Sequence, residues 1–164
     1  MTRQLFAAAA AVCLATAVQA EDAFNDAEFV KKAASSGMKE VQMGKLGSTM
    51  GKSGDVKKFA EMIVTDHTKA NTELMAAARA AGVAVPEAPA AEDQKEVDMM
   101  KEHKDADFDK HFAEHMVKSH EKGVALFTRA SKEAKDPNLK AFAAKTLPTL
   151  QMHLDMAKKL PGGK

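Results

Sequence analysis

Residues 83–104 read Val-Ala-Val-Pro-Glu-Ala-Pro-Ala-Ala-Glu-Asp-Gln-Lys-Glu-Val-Asp-Met-Met-Lys-Glu-His-Lys, and the reading of this segment decides the fold. Its first part holds Pro86 and Pro89, which fix φ and lack a backbone donor, so that part is extended. Its second part, Glu92 to His103, has the composition of a short helix. Extended residues cover about 3.3 Å each and helical ones about 1.5 Å, so the segment reaches roughly 40 Å, the length of a helix of about 27 residues. It is long enough to carry the chain from one end of a helical bundle to the other.

Long helical patterns lie on both sides of it. Asn25 is an N-cap with Glu28 three positions on, and Phe24 can staple to Phe29 across it. This first helix runs to about Met50 and ends at Gly51. Ser53-Gly-Asp55 opens a second, which stops at Gly82. A third starts near Asp105 or Asp107 and continues to about Lys135. Asp136-Pro137 opens the fourth with proline at the first helical position, and Pro161-Gly-Gly lies beyond its end. Two helical hairpins joined by a long crossover that carries a short helix make an all-α, four-helix bundle with ferritin-like connectivity. Asp55-Val-Lys-Lys-Phe-Ala resembles Pro137-Asn-Leu-Lys-Ala-Phe-Ala; duplication and two ordinary amphipathic starts both account for so short a match.

The first twenty residues point to export. Arg3 gives a positive start, Leu5 to Val18 is an apolar run too short to span a bilayer, and Val18-Gln-Ala20 suits signal-peptidase cleavage. The expected domains are a signal peptide, 1–20, and a bundle domain, 21–164, placed in the periplasm with no transmembrane segment after cleavage. Cleavage removes Cys13, the single cysteine, so stability must come from packing in an oxidising compartment. It also removes Arg3, bringing the 24 basic residues level with the 23 acids. A chain without net charge is not expected to bind nucleic acid. With no Trp or Tyr and eleven methionines, the composition is that of a helical bundle.

Several stretches carry a family resemblance. They are Phe29-Val-Lys-Lys-Ala-Ala, Glu40-Val-x-Met-Gly-Lys-Leu, Val56-Lys-Lys-Phe-Ala-x-Met, Asp66-His67, His120-Glu121-Lys and Leu139-Lys-Ala-Phe-Ala-x-Lys-Thr-Leu-Pro-Thr-Leu-x-x-His153. Together they resemble the bacterial secreted family catalogued as domain of unknown function 4142, over essentially the whole mature chain. The resemblance implies a ferritin-like fold and the label of predicted outer-membrane protein, and assigns no activity.

Projecting each helix at 100° per residue finds its apolar side. His67 falls among Val56, Phe59, Ile63 and Leu74; His153 among Leu139, Phe142 and Leu150; His120 among Phe112, Met116 and Phe127. Glu40 is enclosed by Phe29, Ala33, Val41 and Met43. Each long helix thus offers one ionisable residue to the core, all within roughly 10 Å of one level at 1.5 Å rise per residue. A lone buried carboxylate costs several kcal/mol unless paired or metal-bound. Glu40, His67, His120 and His153 therefore form either the ligands of a single transition metal (zinc, copper or iron) or a metal-free hydrogen-bonded layer that fixes helix register. The second alternative makes the protein a structural or stress-related interaction module with an unknown protein partner.

No Glu lies three residues before any histidine, so the Glu-x-x-His pattern of di-iron bundles is missing and a non-catalytic protein is expected. His111-Phe-Ala-Glu-His115 spells H-x-x-E-H, but His111 projects to solvent and His115 to the margin, the pattern of a solvated helix face. Met43, Met62, Met116, Met152 and Met156 suit core filling better than Cu(I) ligation. Met99-Met100 with His103 is the one exposed Met/His cluster expected. Gly37, Gly44, Gly47 and Gly123 lie near inward faces, where they allow close helix approach or leave room around Glu40 and His120. Pro148 should bend the last helix before His153.

Overall fold

The computed structural model describes residues 23–103 and 107–163. The expected signal peptide, the mature start at Glu21 and a helix start at Asp105 fall outside these residues. Among the described residues the chain is helical, without strands: α1 is Asp26–Met50, α2 Gly54–Ala80, α3 Ala91–Glu102, α4 Phe108–Glu133 and α5 Pro137–Ala157. No helix among them is long and apolar enough to cross a membrane.

Local chemistry sets the helix ends. Asn25 accepts a hydrogen bond from the Glu28 amide, Ser53 from Val56, and Asp136 from Asn138 and Leu139, each satisfying donors left free by the first turn. Phe24 and Phe29 pack with ring centroids 5.9 Å apart, completing the staple. α2 ends in a Schellman turn: Val83 donates to the Ala78 carbonyl, Gly82 donates to Arg79, and Gly82 takes φ 68°. α5 passes through Pro148 as one helix, with that proline exposed.

Each long helix packs on two others in the order α1, α2, α5, α4 and back to α1, while α3 lies on α1 and touches α4. Two carboxylates tie the hairpins together. Asp109 at the start of α4 accepts from the amides of Lys52 and Ser53, both at 2.8 Å, in the α1–α2 turn. Asp26 at the start of α1 accepts from Lys135 and Asp136 in the α4–α5 turn, at 3.0 and 2.8 Å.

The helices approach closely at α1. A Cβ on Gly44 would fall 2.9 Å from the Ala60 carbonyl, and one on Gly47 would fall 2.6 Å from the Phe112 ring. Gly123 differs, because only Leu150 lies near its Cβ position, at 3.8 Å, so there the missing side chain leaves space. α3 is held to α1 by polar groups. Buried Lys39 pairs with Asp93 and Glu96 at 2.8 Å each, and Ser35 bonds to Asp93 and to the Ala90 amide. Burial lowers the Lys39 ammonium, but Asp93 and Glu96 outweigh it and hold the group above its usual value.

The apolar interior is divided in two. Phe59, Ile63, Phe108, Phe112 and Met116 belong to one cluster, and Phe29, Leu74, Phe127, Leu139 and Phe142 to the other. Between the residues of these clusters along the helices come Glu40, His67, His120 and His153, all buried.

Candidate metal centre

His67 from α2, His120 from α4 and His153 from α5 each bring one ring nitrogen within 4.8 Å of the others. Their ring centroids are 5.3 to 5.6 Å apart. Three imidazole nitrogens about 2.1 Å from one tetrahedral ion would be roughly 3.4 Å apart, so the set needs only a small inward closure to share an ion.

The second nitrogen of two of the rings is already committed. His120 Nδ1 lies 2.9 Å from the Met116 carbonyl oxygen, which can only accept, so Nδ1 carries the proton and Nε2 keeps a lone pair. His153 Nε2 lies 2.9 Å from Asp66 Oδ2, so Nε2 carries the proton and Nδ1 keeps a lone pair. Carbonyl and carboxylate partners of this kind fix the tautomer and aim of metal-binding histidines. Burial drives His67 down to about 4 against the pull of Glu40, leaving it neutral at pH 7. Burial also lowers His153, in spite of its bond to Asp66.

Glu40 stands beside the trio rather than within it. Ser119 donates to its Oε1, and its Oε2 has no partner. Burial would raise its carboxyl; His120, His67, His115 and the Ser119 hydroxyl together outweigh this and hold it below the usual range. His115 is more than marginal, because its side chain is 15% exposed and its Nε2 is buried without a partner. Its Nδ1 faces Glu96 at 3.9 Å, and burial lowers its pKa. Among the described residues, the buried side-chain polar atoms without a hydrogen bond are Glu40 Oε2 and one nitrogen each of His67, His115, His120 and His153. Each such atom costs about 1–3 kcal/mol if nothing binds it. Four of these residues, Glu40, His67, His120 and His153, lie in one layer between the two apolar clusters.

A cavity of about 610 Å³ borders Glu40, His67, His120 and Ser119 and extends past Gly123 to the surface lysines Lys31 and Lys122. His153 and His115 are not on its wall.

Other sequence candidates are separated. His111 is half-exposed and stacks on His103 with centroids 3.9 Å apart, away from the partner of His115. The expected Met99/Met100/His103 cluster is split, because Met99 is exposed while Met100 is packed in the core. Met43 and Met116 fill the core, whereas Met152 and Met156 are exposed rather than filling it. Ser119 and Lys39 escaped the sequence reading, whereas Asp66 entered it only as the neighbour of His67 in a family stretch, without a role.

No curated protein matches this chain. Among solved structures it is similar to one described as CopM in the Cu(I)-bound form, with 16% identity and a TM-score of 0.69 over 83% of this chain and 94% of that one. At that identity the likeness establishes a common helical fold. The family profile described as Domain of unknown function (DUF4142) matches residues 11–160. A match of that extent, on a chain already carrying the family's short motifs along its length, shows that this protein belongs to the DUF4142 family.

Proposed function

We propose that this protein is an exported, non-catalytic four-helix bundle that binds one transition-metal ion through His67, His120 and His153, with the Glu40 carboxylate supplying negative charge beside it. The observation that carries this reading is the trio itself: three buried imidazoles from three helices, within 4.8 Å, with partnerless nitrogens. Three imidazoles suit copper or zinc. The neighbour described as Cu(I)-bound puts copper first. The ferritin-like connectivity belongs to the same proposal. The Asp109 tie, which puts the start of α4 beside the α1–α2 turn while α2 leads away from that turn to Ala80, supports a long connection between the hairpins. We assign residues 21–164 to the periplasm on the leader-like composition of residues 1–20.

Elemental analysis of protein purified from its native compartment tests the reading. One copper or zinc per chain is expected, lost in His67→Ala, with a chelator lowering the melting temperature of the wild type only. A metal-free layer is the rival, and the partnerless atoms count against it. Absence of stoichiometric metal together with indifference to chelator would establish the rival.

A further inference from the structure

The cavity beside the histidines is far larger than an ion needs. A water molecule takes up about 30 Å³ in the liquid, and the cavity holds about 610 Å³, a size typical of small-molecule sites, roughly 300–1,000 Å³. Much of its wall is apolar, from Leu74, Leu126, Phe127, Phe142 and Leu150. Three of its lining residues carry the partnerless buried atoms Glu40 Oε2, His67 Nε2 and His120 Nε2. All three residues are more than nine-tenths buried. A carboxylate oxygen only accepts hydrogen bonds, and His120 Nε2 presents a lone pair because its proton is on Nδ1. The Ser119 hydroxyl is spent on Glu40 Oε1. Glu40 Oε2 and His120 Nε2 therefore stand as acceptors at the polar end of the cavity, and His67 Nε2 joins them when its ring carries the proton on Nδ1.

We propose that this cavity binds a small amphipathic primary amine, whose ammonium donates to Glu40 Oε2, His67 Nε2 and His120 Nε2 while its apolar body lies against the leucine and phenylalanine wall. A primary ammonium has three N–H donors and no acceptor, so it can serve Glu40 Oε2, His120 Nε2 and, in the Nδ1–H tautomer, His67 Nε2. An anionic head would oppose Glu40. The inference does not require the metal reading, but an ion and the ammonium would compete for His67 and His120; the two separate at His153, which completes the histidine trio but does not line the cavity.

Calorimetric titration of phenethylamine into chelator-treated mature protein tests it. Saturable one-site binding is expected, weakened at least about tenfold by Glu40→Gln, the loss of a hydrogen bond to a charged group. Gly123→Leu should abolish binding, because a side chain there grows into open space with only Leu150 near its Cβ; a melting curve recorded alongside reports that the variant is folded. His153→Ala should leave amine affinity within about twofold while removing the metal site. Phenylpropionate, with the same body and a carboxylate head, should not bind. Failure of phenethylamine to bind the wild type would overturn the proposal, as would binding indifferent to both Glu40→Gln and Gly123→Leu, or equal loss in a folded His153→Ala protein.

Discussion

Asp66 Oδ2 lies 2.9 Å from His153 Nε2, joining α2 to α5 at the level of the histidine trio. The carboxylate holds the proton on Nε2 and turns Nδ1 inward with its lone pair free. One bond thus sets tautomer, ring orientation and basicity together.

Removing that carboxylate should act on metal affinity more than on the fold. Asp66→Ala is expected to weaken copper or zinc binding about 10–100-fold, the usual effect of losing a ligand's outer partner. Competition against a chromophoric chelator measures it. Unchanged affinity would mean that Asp66 does not orient His153.

The metal-free protein should lose stability on mild acidification. His67 sits near 4 in the folded state, below the 6.5 of a free side chain, so the unfolded chain takes up the proton first. The stability conferred by neutral His67 is complete above about pH 6.5 and is lost as pH falls from there toward about 4. His153 and His115, lowered by burial, act in the same direction. Each group contributes up to about 1.4 kcal/mol per pH unit within its window. Urea midpoints between pH 7.5 and 5 with chelator present should fall, and should fall less in His67→Gln. A midpoint that rises on acidification would contradict this.

Asp109 should be costly to remove, because it is buried and accepts two amides at 2.8 Å. Asp109→Ala is expected to cost about 1–3 kcal/mol through the amides left without a partner, lowering the melting temperature by roughly 3–10 °C. Asp26→Ala, at the more exposed tie, should cost less. The reverse ranking by thermal denaturation would show that burial does not govern these two ties.

Glu40 and Ser119 should couple. In a double-mutant cycle of Glu40→Gln and Ser119→Ala, the deviation from additivity should exceed about 0.5 kcal/mol, since both changes break one buried hydrogen bond. Additive denaturation energies would dissolve the pair.

His111→Ala should leave metal content unchanged, because that ring stacks on His103 outside the trio. Loss of the bound ion in this variant, seen by elemental analysis, would move the site to the surface of α4.

The helix ends were legible in the sequence because their causes are local: Asn25, Ser53, Asp136 and Gly82 act within a few residues of themselves. The depth of His67, His120 and His153 was legible because periodicity alone separates the faces of a helix. Their azimuth relative to one another was not. Which side of α4 meets α1 decides that Ser119, not His120, bonds Glu40, and that His115 is enclosed rather than grazing. Lys39 reads as solvated by residue type, yet α3 covers it, because Asp93 and Glu96 offer a second helix's charges. The glycines shared one sequence signature and divided by neighbour, Gly44 and Gly47 for contact and Gly123 for space.

The ties at Asp109 and Asp26 bear on the order of events during folding. His67 comes from the first hairpin, and His120 and His153 come from the second, so neither half alone can surround an ion with three imidazoles. On the proposed site, full ion affinity would arise only after the hairpins have docked in the register that those carboxylates fix. Ion uptake during refolding would then be a clock for docking, lagging the helical signal in circular dichroism and coinciding with burial of Phe59 against Phe112 across the two halves.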